Sequence, residues 1–585
     1  MNAEMLTPPN EPVYMFMPPA TVHPPIVGLR YVAVAGHYLA ASAAAKILDR
    51  GGNAIDAGVA AGLCINVTQP DEATLGGVAP IMVYRAAERR VYTISGLGRW
   101  PRGVDVARLR AAAGGRMPLG VLRSVVPAAV DAWISALDRF GTLTLAEVAA
   151  PAIELADHGF PVDRYLALNL RTAAPLLERW PSSRAVFLPH GHPPGEGEVL
   201  VQRDLAATLG TLVEAERAAG GDRHAGLQAA RDLFYRGPIA ERIARFVLAE
   251  GGFLTAEDMA AFHVRVEPPV HTSFHGYEVY ACGPWCQGPV VLQALNILEG
   301  YDLPALGHNA APYLHLLIES LKAAFADREA YYGDPDMVPV PIDALLSKEH
   351  ASRWRARLDP TQAAPRMPAA LPIANTTGVM SSPYDATREP HPDTSYVCVV
   401  DAEGNAFSAT PSDGIQYTPV VPGLGIIVSG RGDQSWLDSA HPSSVAPWKR
   451  PRLTPNPGLV LRDGELFLAY GTPGGDVQPQ AMIQSLLNVI QFGMSPQEAV
   501  EAPRVATYSF PDSFDPHGES PGLVRAEGRL PAGVLAALTA CGHRVERWPD
   551  WIAASGGVCM IQVDRSSGAL RAGTDPRRLE GAVAW

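Results

Sequence analysis

The chain has 585 residues, too many for one ordinary hydrophobic core, so it builds either two domains or one large layered domain. Hydrophobic residues make up 47% and charged residues 18%, which excludes a disordered chain. A net charge of -13 without any Lys/Arg block argues against nucleic acid as a partner, and no apolar run is long enough to cross a bilayer.

Residues 1–27 are Pro-rich and read as an extended arm. The N-terminus lacks the basic region and apolar core of a signal peptide, so the expected compartment is the cytoplasm. Cys64, Cys282, Cys286, Cys398, Cys541 and Cys559 are sparse and fit reduced thiols in such a compartment. No His/Cys spacing builds a zinc site, so neither metal nor cofactor is expected.

RYVAVAG predicts a strand, and LAASAAAKILDRGG a helix stopped by Gly51 and Gly52. AIDAGVAAGLCINV predicts a second helix of small residues that packs closely. SVVPAAVDAWISALDRFG and LTLAEVAAPAIELADHG continue an α-rich half. APYLHLLIESLKAAFADREAYYG is the longest helical pattern. Residues 360–393 carry many Pro, Ser and Thr residues without a period and read as an exposed, mobile connection. Beyond it SYVCVVD and NAFSATP predict a hairpin. GLVLRDGELFLAYG predicts another, turning at Asp463-Gly464. QAMIQSLLNVIQFG predicts an apolar helix, and GVCMIQVDRSSGALRAG a third hairpin. Strand pairs interleaved with helices imply stacked α and β layers.

Three stretches carry chemistry. Thr394 opens the SYVCVVD strand directly behind the loose connection. A neutral Thr hydroxyl is a poor nucleophile, and an N-terminal amine made by cutting the chain before it supplies a base of pKa roughly 8. Taken alone, a Thr at a strand start is far more often structural. In "LAYGTPGGD", Gly474 and Gly475 sit at a strand–helix junction where free backbone N–H groups can hold an oxyanion, although a tight turn explains the glycines equally well. In "ATPSD", the hairpin returns Ser412 and Asp413 to the start of the Thr394 strand, where a turn is the plainer reading. Cys286, in GPWCQGP, has no partnering His in any motif and is set aside as a nucleophile.

Together these residues carry a resemblance to the γ-glutamyltransferase family of N-terminal-nucleophile hydrolases. Thr394-Ser-Tyr-Val-Cys-Val-Val-Asp401-Ala-Glu-Gly404-Asn405 resembles that family's cleavage-site motif. "GGNAIDAGVAAGL", "QPDEATLGGVAP", "DREAYYGDPD", "KRPRLTPNPGLVL", "GTPGGD", "EAPR" and "TDPR" follow in the family's order from about residue 28 onward. The resemblance implies an α+β fold, a four-layer αββα sandwich. It implies a precursor cut between Asp393 and Thr394 into a large subunit, 28–393, and a small one, 394–585, that stay together. A further pairing of two such heterodimers is left open. Thr394 would attack a small-molecule amide, Gly474 and Gly475 would bind the oxyanion, and Ser412 would support the nucleophile.

The glutamyl-binding positions differ from the family pattern. Leu97 stands where the family has an Arg, with Arg99 displaced by two. Leu453-Thr454 replaces a Ser-Ser pair, Asp433 and Gln434 a double Asp, and Gly414, next to Asp413, an Asn. Arg431, Arg99 and Thr454 remain to hold one carboxylate, which points to a donor other than γ-glutamyl. An ordinary γ-glutamyltransferase and an uncut binding protein are the alternatives. Trp436 and His441 read as loop residues, serving either as pocket cover or as surface anchors.

Overall fold

The computed structural model describes residues 21–374 and 393–585. Two seven-stranded antiparallel sheets lie face to face. Sheet I runs Gly581–Ala584, Val32–Ala35, Val397–Val400, Ala406–Ala409, Ile81–Arg85, Arg90–Ile94, Val266–Glu267. Sheet II runs Ile26–Gly28, Ala569–Gly573, Cys559–Asp564, Glu465–Gly471, Gly458–Arg462, Tyr277–Ala281, Val270–Phe274. The strand Val397–Val400 is buried on both faces, because its side chains alternate between two cores. Cys398 and Val400 meet Leu459, Ala469 and Ile561 of sheet II, forming the layer between the sheets. Val397 and Val399 face the helices Tyr38–Asp49 and Ala54–Thr68 on the outside of sheet I. Helices Pro289–Leu298, Ala311–Tyr331 and Gln478–Ile490 cover sheet II. The result is the expected αββα order.

The small-residue helix packs as its composition predicts: a Cβ at Gly58 would lie 2.1 Å from the Phe407 ring of sheet I. Its N-terminus is closed by an Asn53/Asp56 capping box, and Ala54 N–H donates to the Asp401 carboxylate at 2.8 Å. The Thr394 hairpin is thereby fastened at its far end to the helix layer. The Asp463-Gly464 turn has positive φ at both residues, 55° and 73°, as a two-residue hairpin requires.

Two boundaries differ from the sequence reading. The arm ends earlier than residue 27, because Ile26–Gly28 pairs with Ala569–Gly573 as an edge strand. Just before it, Val22 and His23 N–H groups donate to the Glu501 carboxylate at 2.6 and 2.8 Å. Residues 360–374 are not a loose connection. Tyr331 Oη donates to the Leu371 carbonyl at 2.8 Å, Lys322 Nζ to that of Ala364 at 2.8 Å, and Leu371 is buried. The rest of that expectation, 375–392, lies outside the described residues.

Candidate active site

Thr394 is fully buried where the hairpin of sheet I begins. The ladder that starts with Val397 opposite Ala409 continues through Ser395 N–H donating to Pro411 O at 2.9 Å. That register brings Ser412 to Thr394, with the two hydroxyl oxygens 2.7 Å apart. Ser412 is itself pinned, its N–H donating to Val78 O at 2.9 Å. Thr394 N–H donates to Glu72 O at 2.9 Å. The backbone of Thr394 has φ of 111°, a conformation that costs a β-branched residue about 1–3 kcal/mol. The strained torsion is that about the Thr394 N–Cα bond, next to the peptide that joins Asp393 to Thr394.

Arg431 is the cation at this position. It is buried, Nη2 donating to Ser412 Oγ at 2.5 Å and to the Asp393 carboxylate. Because the guanidinium fills one lone pair of Ser412 Oγ, the Ser412 proton is free to turn towards Thr394 Oγ1. Asp413 does not reach Thr394. Its carboxylate accepts from Ser429 Oγ at 2.5 Å and from Gly430 N–H at 3.0 Å. Burial outweighs the nearby Arg431 and pushes the Asp413 carboxyl up to about 6. Asp433 is paired with Arg123 at 3.2 Å, and burial pushes it up to about 7.

The second half of the site comes from sheet II. A Cβ at Gly471 would lie 2.2 Å from the Tyr396 ring, so the end of strand Glu465–Gly471 runs directly under the Thr394 strand. Three residues on, Gly474 and Gly475 have φ of 123° and 55°, open only to glycine without strain. Gly475 O accepts from Gln287 Nε2 at 2.8 Å, which fixes that peptide. The same Nε2 donates to Thr454 O at 3.0 Å, and Gln287 Oε1 accepts from Arg328 Nη1 at 3.0 Å. Arg328 in turn pairs with Asp476 at 2.5 Å and with Glu329 at 2.7 Å, all of them buried. Neither Gly474 N–H nor Gly475 N–H has an acceptor among the described residues. Two free donors on a fixed turn are the geometry an oxyanion requires. Phe514 joins the two halves, with its ring 5.4 Å from the Arg431 guanidinium and 3.5 Å from where a Gly475 Cβ would stand.

Gln434 and Thr454 form one wall, Gln434 Nε2 donating to Thr454 Oγ1 at 2.8 Å. Arg99 does not join the cluster. Its guanidinium is spent on Asp334 at 3.2 Å and Asp336 at 2.5 Å, in a carboxylate group shared with Arg265 and Arg450. Trp436 and His441 are not surface anchors, because both are buried. Trp436 is buried and stacked between His441 and His517 at 3.9 and 3.8 Å, and burial holds both imidazoles neutral, at about 4 and about 3. A cavity of about 540 Å³ opens beside Arg123, lined also by Asp71, Met117, Leu119, Leu176 and Tyr417.

Known proteins share this architecture. The family model described as gamma-glutamyltranspeptidase matches residues 40–585. The Glutathione hydrolase-like YwrD proenzyme of Bacillus subtilis (strain 168) is 33% identical over 95% of this chain and 99% of its own length. The Acylase ACY 1 proenzyme of Pseudomonas sp. (strain SE83) is 34% identical over 96% of this chain and 95% of its own. The crystal structure of cephalosporin acylase from Bacillus halodurans superposes with a TM-score of 0.84 at 29% identity, covering 98% of this chain and 99% of that one. The chain belongs to the gamma-glutamyltranspeptidase family, self-processing enzymes of amide hydrolysis and acyl transfer.

Three partners in the site are hidden from a residue-by-residue reading of the sequence. Glu72 contributes only its backbone oxygen, which no side-chain pattern reveals, although its segment QPDEATLGG carries part of the family likeness. Gln287 is separated by nearly two hundred residues from the glycine turn it orients. Asp393 stands out in sequence only as the residue before the cut, not as a side chain with a partner.

Proposed function

We propose that Thr394 is the nucleophile of a self-processed amidohydrolase or acyltransferase whose donor is not the γ-glutamyl group. In the precursor Thr394 Oγ1 attacks the Asp393 carbonyl carbon. The C–N bond breaks, the Thr394 nitrogen takes the proton, and water hydrolyses the resulting ester. The observation that carries the reading is the 2.7 Å contact of Thr394 Oγ1 with Ser412 Oγ at a buried residue held at positive φ. The freed α-amine then serves as general base. Gly474 and Gly475 N–H groups receive the oxyanion of each tetrahedral intermediate, and Ser412 steadies the Thr394 oxygen.

After the cut the two subunits would remain one sandwich, because sheet I interleaves strands from both sides of residue 393. The altered donor is supported by Arg99, whose charge is taken up by Asp334 and Asp336, and by Arg431 as the cation beside Ser412. The cavity beside Arg123 gives room for a leaving amine of some bulk. We place the enzyme in the cytoplasm, supported by six cysteines that are all unpaired.

Intact-mass measurement tests the reading. The wild-type chain is expected to yield a fragment beginning at Thr394, and Thr394→Ala to stay whole. A wild-type chain that remains uncut after prolonged incubation would sink the proposal.

A further inference from the structure

The residue before the cut reports what the acyl site holds. During self-cleavage the acyl group passed to Thr394 Oγ1 is that of Asp393, and its side-chain carboxylate lies on Arg431 in the uncut chain. Both Arg431 and Asp393 are fully buried, and Arg431 Nη2 bridges the Asp393 carboxylate and Ser412 Oγ, the hydroxyl that touches the nucleophile. Arg431 Nε and Nη1 are buried with no partner among the described residues. The other carboxylates near it are engaged elsewhere, Asp413 by Ser429 and Gly430, and Asp433 by Arg123. When the Asp393 end withdraws after cleavage, a buried guanidinium loses its ion-pair partner, a state that costs several kcal/mol and favours any anion able to take its place.

Resting on Thr394 as the nucleophile, we infer that the acyl donor is an amide of a four-carbon dicarboxylic acid, a succinyl-type group whose free carboxylate replaces that of Asp393 on Arg431. The length follows from covalent geometry. From the Asp393 carbonyl carbon through Cα and Cβ to the carboxyl carbon is a four-carbon chain, the skeleton of a succinyl group. In turnover Thr394 Oγ1 attacks the donor carbonyl and the amine leaves with the proton. Water then cleaves the ester, releasing the dicarboxylate and restoring the hydroxyl. A γ-glutamyl donor sets its carboxylate one carbon further away and adds an ammonium, for which the nearby carboxylates Asp413 and Asp433 are already engaged by Ser429, Gly430 and Arg123.

The test uses the self-cut wild-type enzyme and five p-nitroanilides: succinyl, malonyl, glutaryl, γ-glutamyl and butyryl, which is uncharged and has the same number of carbons as succinyl. The expected result is a kcat/KM for succinyl about 10-fold or more above each of the others, the size of one charge-assisted contact. Arg431→Gln is expected to lower the succinyl-to-butyryl ratio towards one, and Arg431→Lys to restore part of it. Because Arg431 variants can also fail to process, the substrate series on wild-type enzyme decides the matter without them. A cut enzyme that turns over butyryl or γ-glutamyl anilide as fast as succinyl, or that cleaves none of the five, overturns the inference and leaves Thr394 as the nucleophile intact. An uncut chain overturns the nucleophile assignment itself.

Discussion

The two halves of the site are built on opposite physical terms. The sheet I half is poised for change: Thr394 is held at a φ of 111°, and Arg431 is paired with Asp393, the residue that the proposed cut would separate from Thr394. The sheet II half is fixed: Gly474 and Gly475 rest on a buried chain of Gln287, Arg328, Asp476 and Glu329 with short contacts throughout. A self-processing enzyme needs both. In the proposed reaction the bond to be cut lies next to a strained torsion, and the proposed oxyanion donors are tied to an ion network that is costly to rearrange.

That contrast can be broken from either side. The largest effect is expected at the labile half: Thr394→Ala should abolish both the cut and all amide turnover, read by mass and by amine release. Next comes the fixed half. Gln287→Met removes the hydrogen bond that orients the Gly475 peptide, and kcat should fall about 10²-fold with KM changing far less, as when one oxyanion contact is lost. A smaller effect is expected for Ser412→Ala, which keeps Thr394 but strips its partner. Cleavage of the precursor, followed on a denaturing gel over time, should slow about tenfold. If Gln287→Met changed KM and kcat alike, the distinction between a labile and a fixed half would fail.

The smallest expected effect is electrostatic. Burial raises the Asp433 carboxyl to about 7, well above its unfolded value near 4. Between those values the folded state keeps a proton that the unfolded state has released, so this group makes stability fall as pH rises from about 4 to about 7 and then level off. Thermal melts from pH 5 to 8 should therefore show a drop in Tm with a shallower slope in Asp433→Asn. An identical slope in the variant would remove Asp433 as the cause.

Arg431 and Arg99 show how far the sequence is legible and where it stops. Both are arginines near recognisable motifs, and sequence alone offers either as a carboxylate holder. The distinction lies in their partners: Asp334 and Asp336 engage Arg99 from a segment more than two hundred residues away, while Arg431 faces Ser412 and Asp393. Local periodicity does disclose the hairpins, because strand alternation and the Asp463-Gly464 turn are properties of neighbours in sequence. It also brings the pair Ser412 and Asp413 back to Thr394, since a hairpin register is local, but leaves the choice between them to the structure. The burial of residues 360–374 is not legible, because Pro and Ser content says nothing about which carbonyls Lys322 and Tyr331 will reach. Trp436 escapes for a similar reason: His517, one of its two stacking imidazoles, comes from a loop far along the chain.

The interleaving of sheet I has a consequence for quality control. The strand Val397–Val400 lies between Val32–Ala35 and Ala406–Ala409, and while its hairpin register is local, the hydrogen bonds of Thr394 N–H to Glu72 O and of Ser412 N–H to Val78 O form only once distant parts of the chain have met. Under the proposed self-cleavage at Thr394, a half-folded chain lacks the setting that the cut requires. The proposed cut would then be a receipt for completed folding, issued by the molecule to itself, and the fraction of protein cleaved in a cell would track the copies that reached the native sandwich.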